Sequence, residues 1–336
     1  MTRILIIRPG GIGDIALTIP LLVSVRKQYR NCLITFISNQ KTNQNSSPID
    51  LLLKLKLIDN YFEFDIKNKF KLFKKLLNFI FRQRNNFDIS MCLRHSNRNL
   101  FNKFLDYLFF KKIINVNIGF GFWNSSDLSF KKQKGKYIRM IKESSRLINI
   151  LKSEGLDIEE ADYYSYIDDM ILKKSRTQNN LINFKNNYVI FCPFGKPFKN
   201  HKNKNWGLDN FLNVAKELNE RGFKLLLVGS KNDFLTNHQN LNKFNHLFVN
   251  LCGKISLCEL LELSTGASFY LGNDTGPMHI CSLTKTPIIA IFNPFNNINK
   301  FYPIGKDNLI FRDDYNIKNI RPEFVLNELI EKNIIK

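Results

Sequence analysis

An apolar run that stops at a glycine and gives way to a helix start most narrows what this chain can become. It is clearest at Phe269–Pro287, FYLGNDTGPMHICSLTKTP. Ala267–Leu271 reads as a buried strand that breaks at Gly272-Asn273, and Asp274-Thr275-Gly276 stands where a helix begins. Pro277 sits near the first helical position, where a missing N–H leaves nothing unsatisfied. Met278, Ile280, Cys281 and Leu283 give that short helix its apolar side. Free N–H groups and the positive end of a helix dipole then point out of a strand's carboxyl end, which suits a phosphate. Asp274 repels a phosphate and is better fitted to accept hydrogen bonds from sugar hydroxyls. The same residues also read as an Asp-Thr pair capping a helix in an ordinary α/β unit.

The front of the chain repeats the pattern. Arg3–Arg8 (RILIIR) suits a buried parallel strand. Pro9-Gly10-Gly11-Ile12-Gly13-Asp14 follows, and Ile15–Tyr29 reads as an amphipathic helix. Gly11 to Ala16 satisfies the dinucleotide fingerprint G-x-G-x-x-[G/A]. That fingerprint also needs an acid some twenty residues on for the ribose. No Asp or Glu occurs between Ile15 and Ile49, which disfavours a nicotinamide or flavin enzyme. Gly10, Gly11 and Gly13 let backbone approach a ligand and leave Asp14 at the strand's carboxyl edge. A lone acid there is either a general base for a hydroxyl nucleophile or a first-turn helix acid.

Between these stretches strands and helices alternate. Leu33–Ser38, Asp88–Leu93, Tyr188–Cys192, Lys224–Val228 and Ile288–Phe292 read as strands. Residues 67–84, 98–114 and 131–153 read as basic helices, the last where an acceptor surface is expected. Leu208–Arg221, Leu257–Thr265 and Pro322–Ile334 read as further helices, with Ser256 and Glu259 forming a capping box. Asp233 is a ribose or base contact, or equally a helix cap. His279 either reaches a phosphate or packs inside. Acidic Asp157–Asp169 and polar Lys173–Asn187 mark a crossing between domains. Repeated β-α-β order with glycine turns predicts two doubly wound α/β domains facing a cleft.

Charge is uneven along the chain. Residues 1–152 carry 28 Lys+Arg against 9 Asp+Glu, and residues 153–336 carry 22 against 20. The front half is therefore expected to meet something anionic: nucleic acid, an acidic lipid surface or an acidic glycan. Phe194–Trp206 holds Lys196, Lys199, Lys202, Lys204 and His201, fit either to neutralise a diphosphate leaving group or to form a solvated loop anchored by Trp206. The six cysteines show no ligand spacing and sit mostly in apolar runs, as buried thiols in a reducing cytoplasm would. No signal peptide or membrane-spanning run is expected, and no P-loop, GxSxG, HExxH or D-x-D metal signature occurs.

With those residues in view, the chain resembles the ADP-heptose:lipopolysaccharide heptosyltransferases of glycosyltransferase family 9. RILIIRPGGIGDIALTIPLL is similar to the family's opening segment, and NKNWGLDNFLNVAKEL to its Lys-x-Trp-Pro segment, with Gly207 where Pro is usual. LVGSKNDF, LCGKISLCELLEL and LGNDTGPMHICSLTKTPIIAIF match later blocks in order and spacing. The resemblance implies a GT-B fold. Residues 1–170 would be the acceptor domain, 171–320 the nucleotide-sugar domain, and 321–336 a closing helix that packs back on the first domain. It implies Asp14 as the base that deprotonates the acceptor hydroxyl, and Lys204 near the donor phosphates. Asp274 would contact the donor, with Thr275, Gly276 and His279 in the same loop. The reaction would be an inverting displacement using ADP-heptose, with no cofactor and no metal ligands assigned. Expected partners are the nucleotide sugar, an anionic lipopolysaccharide-core acceptor and an anionic inner-membrane surface, with no specific nucleic acid. A GT-B relative using another nucleotide sugar, such as an epimerase, and a basic nucleic-acid-binding protein are the alternative readings.

Overall fold

The computed structural model describes residues 1–39, 47–64, 69–94, 99–123, 130–133, 136–139, 142–175, 187–195, 205–305 and 307–336, and the chain divides into two compact units, Met1–Tyr166 and Ile167–Lys336. In the first, β1 (Thr2–Ile7) is followed by α1 (Ile12–Ala16), α2 (Ile19–Gln28), β2 (Cys32–Asn39), α3 (Pro48–Lys54), β3 (Asn60–Phe64) and α4 (Lys69–Gln83). Next come β4 (Ile89–Cys92), α5 (Leu100–Tyr107), a π-helical turn (Leu108–Ile113) and β5 (Ile118–Phe120). A hairpin of β6 (Phe130–Gln133) and β7 (Lys136–Arg139) leads to α6 (Glu143–Ser153), and α7 (Tyr163–Ser175) carries the chain into the second unit.

The five strands β1 to β5 form one parallel sheet in the order β3-β2-β1-β4-β5. The chain winds outward from β1 through β2 to β3, then returns to place β4 on the other side of β1. The crevice at the carboxyl ends of β1 and β4, where Ile7 pairs with Cys92, is the topological switch point. Ile4, Leu5 and Ile6 are fully buried, because a central parallel strand is covered on both faces. On one face Leu5 and Ile7 pack with Phe79 of α4 and with Phe110 and Ile114 around the π turn.

In the second unit the order is β8 (Tyr188–Cys192), α8 (Leu208–Glu220), β9 (Lys224–Leu227), α9 (Lys231–Asn242), β10 (Phe248–Asn250), α10 (Leu257–Ser264) and β11 (Phe269–Asn273). Then follow α11 (Gly276–Cys281), β12 (Ile288–Phe292), α12 (Ile298–Phe301), β13 (Asn308–Arg312) and α13 (Pro322–Glu331). Six parallel strands lie in the order β10-β9-β8-β11-β12-β13, so the second switch point falls between β8 and β11, where Gly272 pairs with Cys192. The α13 helix packs against α8, and Phe324 meets Phe311 of β13 edge-on at 5.8 Å. The expected capping box is present: Ser256 accepts from Glu259 N–H while Ser256 N–H donates to the Glu259 carboxylate. Asp233 likewise caps α9, accepting from Ser230 N–H at 2.8 Å.

Two helix expectations are corrected. Residues 131–153 are not one helix: Phe130–Gln133 pairs antiparallel with Lys136–Arg139, and the helix starts only at Glu143. Phe-Lys-Lys-Gln and Lys-Tyr-Ile-Arg carry branched and aromatic residues around a Lys-Gly dipeptide, which favours a hairpin. Ile15–Tyr29 is two helices, because Pro20 within a continuous helix would clash with the carbonyl of Ala16. The break lets Thr18 donate its hydroxyl proton to Asp14 O at 2.8 Å.

All six cysteines are buried and free. Burial pushes the Cys192 thiol up to about 11 and raises that of Cys281 well above its ordinary value. No helix among the described residues is long and apolar enough to cross a membrane.

Trp206 is held by packing and a hydrogen bond, while residues 196–204 of its loop lie outside the described residues. It is fully buried, stacks edge-on to Phe211 at 4.8 Å, and donates from Nε1 to Ile320 O at 2.6 Å. Gly207, the N-cap of α8, has φ +109°, in the left-handed region that favours glycine. A pyrrolidine ring holds φ near −65° and cannot follow this backbone. Gly207→Pro is expected to destabilise the second unit by about 1–3 kcal/mol of backbone strain, read from the urea midpoint. An unchanged midpoint would show that the loop takes a second conformation at no cost.

Candidate active site

At the first switch point β1 exits through Arg8, whose side chain is wholly inside the protein. A buried guanidinium must be both neutralised and hydrogen-bonded. Arg8 Nη1 donates to Leu93 O at 2.6 Å, just beyond β4, and Nη2 donates to Glu143 Oε1 at 2.9 Å. Glu143 is equally buried and accepts from Arg146 Nε at 2.9 Å and Nη2 at 2.8 Å. The Asp14 Oδ1 atom lies 3.6 Å from Arg8 Nη2, and its side chain retains 18% exposure. The other oxygen, Oδ2, accepts from Gly11 N–H at 2.8 Å. Asp14 is thus a first-turn helix acid through one oxygen and a partner of a buried cation through the other.

Gly10 makes this placement possible. A Cβ there would come within 2.4 Å of Asp14 Cβ and 2.8 Å of its Oδ2, while Gly10 N–H donates to Asn39 Oδ1 at 2.7 Å. Gly11 is the N-cap of α1, with an ordinary φ of −82°, and Gly13 lies within the helix. Gly10 gives room to the carboxylate itself, which sequence reasoning had assigned to ligand approach.

At the second switch point the buried Asn273 ties the loops together. Its Nδ2 donates to Pro193 O at 2.9 Å, and its Oδ1 accepts from Trp206 N–H at 3.4 Å. The next residue, Asp274, sits with Oδ1 3.7 Å from Nε2 of the buried His279, while Oδ2 accepts from Asn296 Nδ2. Thr275 caps α11 by position only. Its hydroxyl turns inward to Asn273 O at 3.3 Å, with the Tyr270 hydroxyl 3.4 Å away. Gly276 opens α11 and Pro277 follows, as expected of that start. The structure therefore gathers Asp274, Thr275, Gly276 and His279 at one strand end. Lys204, with Lys196, Lys199, Lys202 and His201, lies outside the described residues. Among the described residues no group of three His, Cys, Asp or Glu could hold a metal ion.

Sequence reasoning missed Glu143, Arg146 and Asn296. Glu143 is 135 residues from Arg8, and no local pattern links them. Asn296 is one of many asparagines in this chain and carries no motif.

Each of the two parallel α/β sheets carries an acid at its switch point. Residues 117–327 match glycosyltransferase family 9 (heptosyltransferase), and the chain belongs to that family. It is a glycosyltransferase. Lipopolysaccharide heptosyltransferase 3 of Escherichia coli K12 is 26% identical, over 89% of this chain and 84% of that protein. Lipooligosaccharide heptosyltransferase 2 of Haemophilus influenzae is 25% identical over 87% and 83%. Among solved structures, the E. coli heptosyltransferase WaaC with ADP superposes with a TM-score of 0.72 at 15% identity, covering 99% of this chain and 100% of that one. A family 9 glycosyltransferase from Veillonella parvula gives 0.66 at 17% identity, covering 99% and 97%. The GT-B fold read from the sequence is the fold observed.

Removing Glu143 would take the nearest carboxylate from two buried guanidinium groups. Glu143→Ala is expected to cost about 3–5 kcal/mol of stability, measured by urea unfolding of the full chain. A loss below about 1 kcal/mol would mean that water reaches the cluster.

Proposed function

We propose that this glycosyltransferase moves a heptose from ADP-heptose to the inner core of lipopolysaccharide, with inversion at the anomeric carbon. The observation that carries the reading is the pair of carboxylates, Asp14 and Asp274, each at the carboxyl end of a central strand at its sheet's switch point. Asp14 takes the proton of an acceptor hydroxyl as the oxygen attacks the anomeric carbon. The bond from that carbon to the diphosphate breaks, and ADP leaves with the electron pair. One base suffices for this displacement, in contrast to the carboxylate pair of common hydrolases. Arg8, 3.6 Å from Asp14, holds the carboxylate in place. Glu143 and Arg146 fix Arg8 in turn.

Asp274 is assigned to the donor's hydroxyl groups, held in orientation by Asn296 and His279. Thr275, Gly276 and His279 border the donor, and Lys204 is assigned to the phosphates by family resemblance. The heptose rests on the relatives' names, and a related sugar would leave the mechanism unchanged. A non-enzymatic nucleic-acid-binding protein would account for the basic front half and for neither carboxylate. The acceptor is membrane-borne, and the net charge of +19 over residues 1–152 supports peripheral contact with the anionic inner face of the inner membrane. The site of action is assigned to the cytoplasmic side.

Asp14→Asn is expected to keep ADP-heptose affinity while kcat falls about 100-fold or more, measured by calorimetry and by product release. Full turnover in that variant rules out Asp14 as the base. Asp274→Ala is expected to weaken donor binding about tenfold, and unchanged affinity in titration removes it from the donor site.

A further inference from the structure

Helix α5 is built inside out. Its two charged side chains, Lys103 and Asp106, face inward at 6% exposure each, and Asp106 pairs with Arg94 at 2.5 Å. Leu100, Phe101, Phe104, Leu105 and Leu108 face solvent, between 37% and 74% exposed. A helix lying on a sheet ordinarily does the reverse, putting its apolar stripe on the core and its charges in water.

The backbone enforces this orientation. In the π turn that follows, Ile114 N–H bonds to Phe109 O at 3.1 Å, and Val116 N–H bonds to Lys111 O at 3.0 Å, both five residues back. The wider turn shifts the helical phase, so Phe110 and Ile114 reach the core while the apolar residues of α5 stay outside. The Arg94–Asp106 pair ties the polar side of α5 to the segment just after β4.

Helix α4 adds to the same exposed layer. Phe79 points into the cluster that also takes Phe110 and Ile114, so α4 and the α5–π segment cover one face of the sheet. On its outer side α4 shows Phe73, Leu77 and Phe81, spaced i, i+4, i+8, and Phe81 is 84% exposed. Large apolar side chains exposed on two helices over the same face of the sheet mark an interaction surface.

Charge identifies what covers it. Residues 69–118 hold 11 Lys+Arg against two acids. Of those two, Asp106 is buried in its ion pair and the half-buried Asp88 accepts from Arg3 N–H at 2.8 Å. A second copy of this chain would bring like charges together. An anionic lipid surface offers phosphates to the cations and an acyl boundary to the aromatic rings.

We propose that α4 and α5 form a membrane-docking face that seats Phe81, Phe101 and Phe104 in the headgroup–acyl boundary of an anionic bilayer, with Lys74, Arg82 and Lys112 at the lipid phosphates. The proposal rests on the membrane-borne acceptor of the reaction above and assigns the contact to apolar insertion as well as charge.

The test is flotation of the full chain with vesicles of phosphatidylethanolamine and phosphatidylglycerol, against vesicles of phosphatidylcholine alone. Wild type is expected to float with the anionic vesicles and stay behind with the neutral ones. The double variant Phe101→Ser/Phe104→Ser is expected to partition about tenfold more weakly, while folding normally, since both rings are exposed. Its transfer to a delipidated core oligosaccharide is expected to match wild type. Equal flotation of variant and wild type overturns the assignment of the face, as does failure of wild type to float. A wild-type dimer in sedimentation that the double variant abolishes would give the face to a second copy instead. If wild type floats but transfers nothing from ADP-heptose, the proposed reaction fails and the docking face stands.

Discussion

Arg8 is the residue on which the first unit's site depends. A guanidinium with no exposed surface has to be neutralised, and its partners come from chain segments far apart in sequence: Leu93 beyond β4, Glu143 at the start of α6 and Asp14 in α1. Removing a buried charge's partner costs far more than the pair contributes net, so such a cluster holds geometry rather than supplying stability. The geometry it holds is the crevice at the carboxyl ends of β1 and β4. Asp14 gains a fixed position there while keeping part of its surface open.

The second unit fixes its switch point with neutral groups. Asn273 bridges Pro193 and Trp206, and Trp206 is tied through its indole N–H to Ile320, near the start of α13. A buried amide with both ends satisfied orients the following residue without introducing a net charge. Asp274 therefore stands beside His279 and Asn296, in a setting different from that of Asp14 beside a cation. This difference in surroundings is what supports different assignments for two acids at equivalent topological places.

How far the sequence reveals this fold follows from burial. The central strands were legible within a residue or two, because strands covered on both faces are continuous apolar runs: RILIIR, YVIFC and IIAIF. Strands β3, β5, β10 and β13 were not legible. All four are the outer strands of their sheets, half exposed and mixed in composition, so neither an apolar run nor strict alternation marks them. Asp14 and Asp274 could be found because each stands beside a glycine turn. Glu143 and Arg146 could not, since their partner is distant in sequence and nothing local announces a buried pair. The inversion of α5 was hidden for a related reason: a Lys/Phe mixture at helical spacing does not say which side faces the sheet.

The measurement that tests the account most directly is calorimetric titration of the chain with ADP-heptose, alongside ADP, UDP-sugars and NAD. Adenine-selective binding is expected, with ADP-heptose tightest and no binding of NAD. Selective binding of a UDP-sugar would contradict the assigned donor, and silence toward every nucleotide by folded protein would contradict the donor site at Asp274.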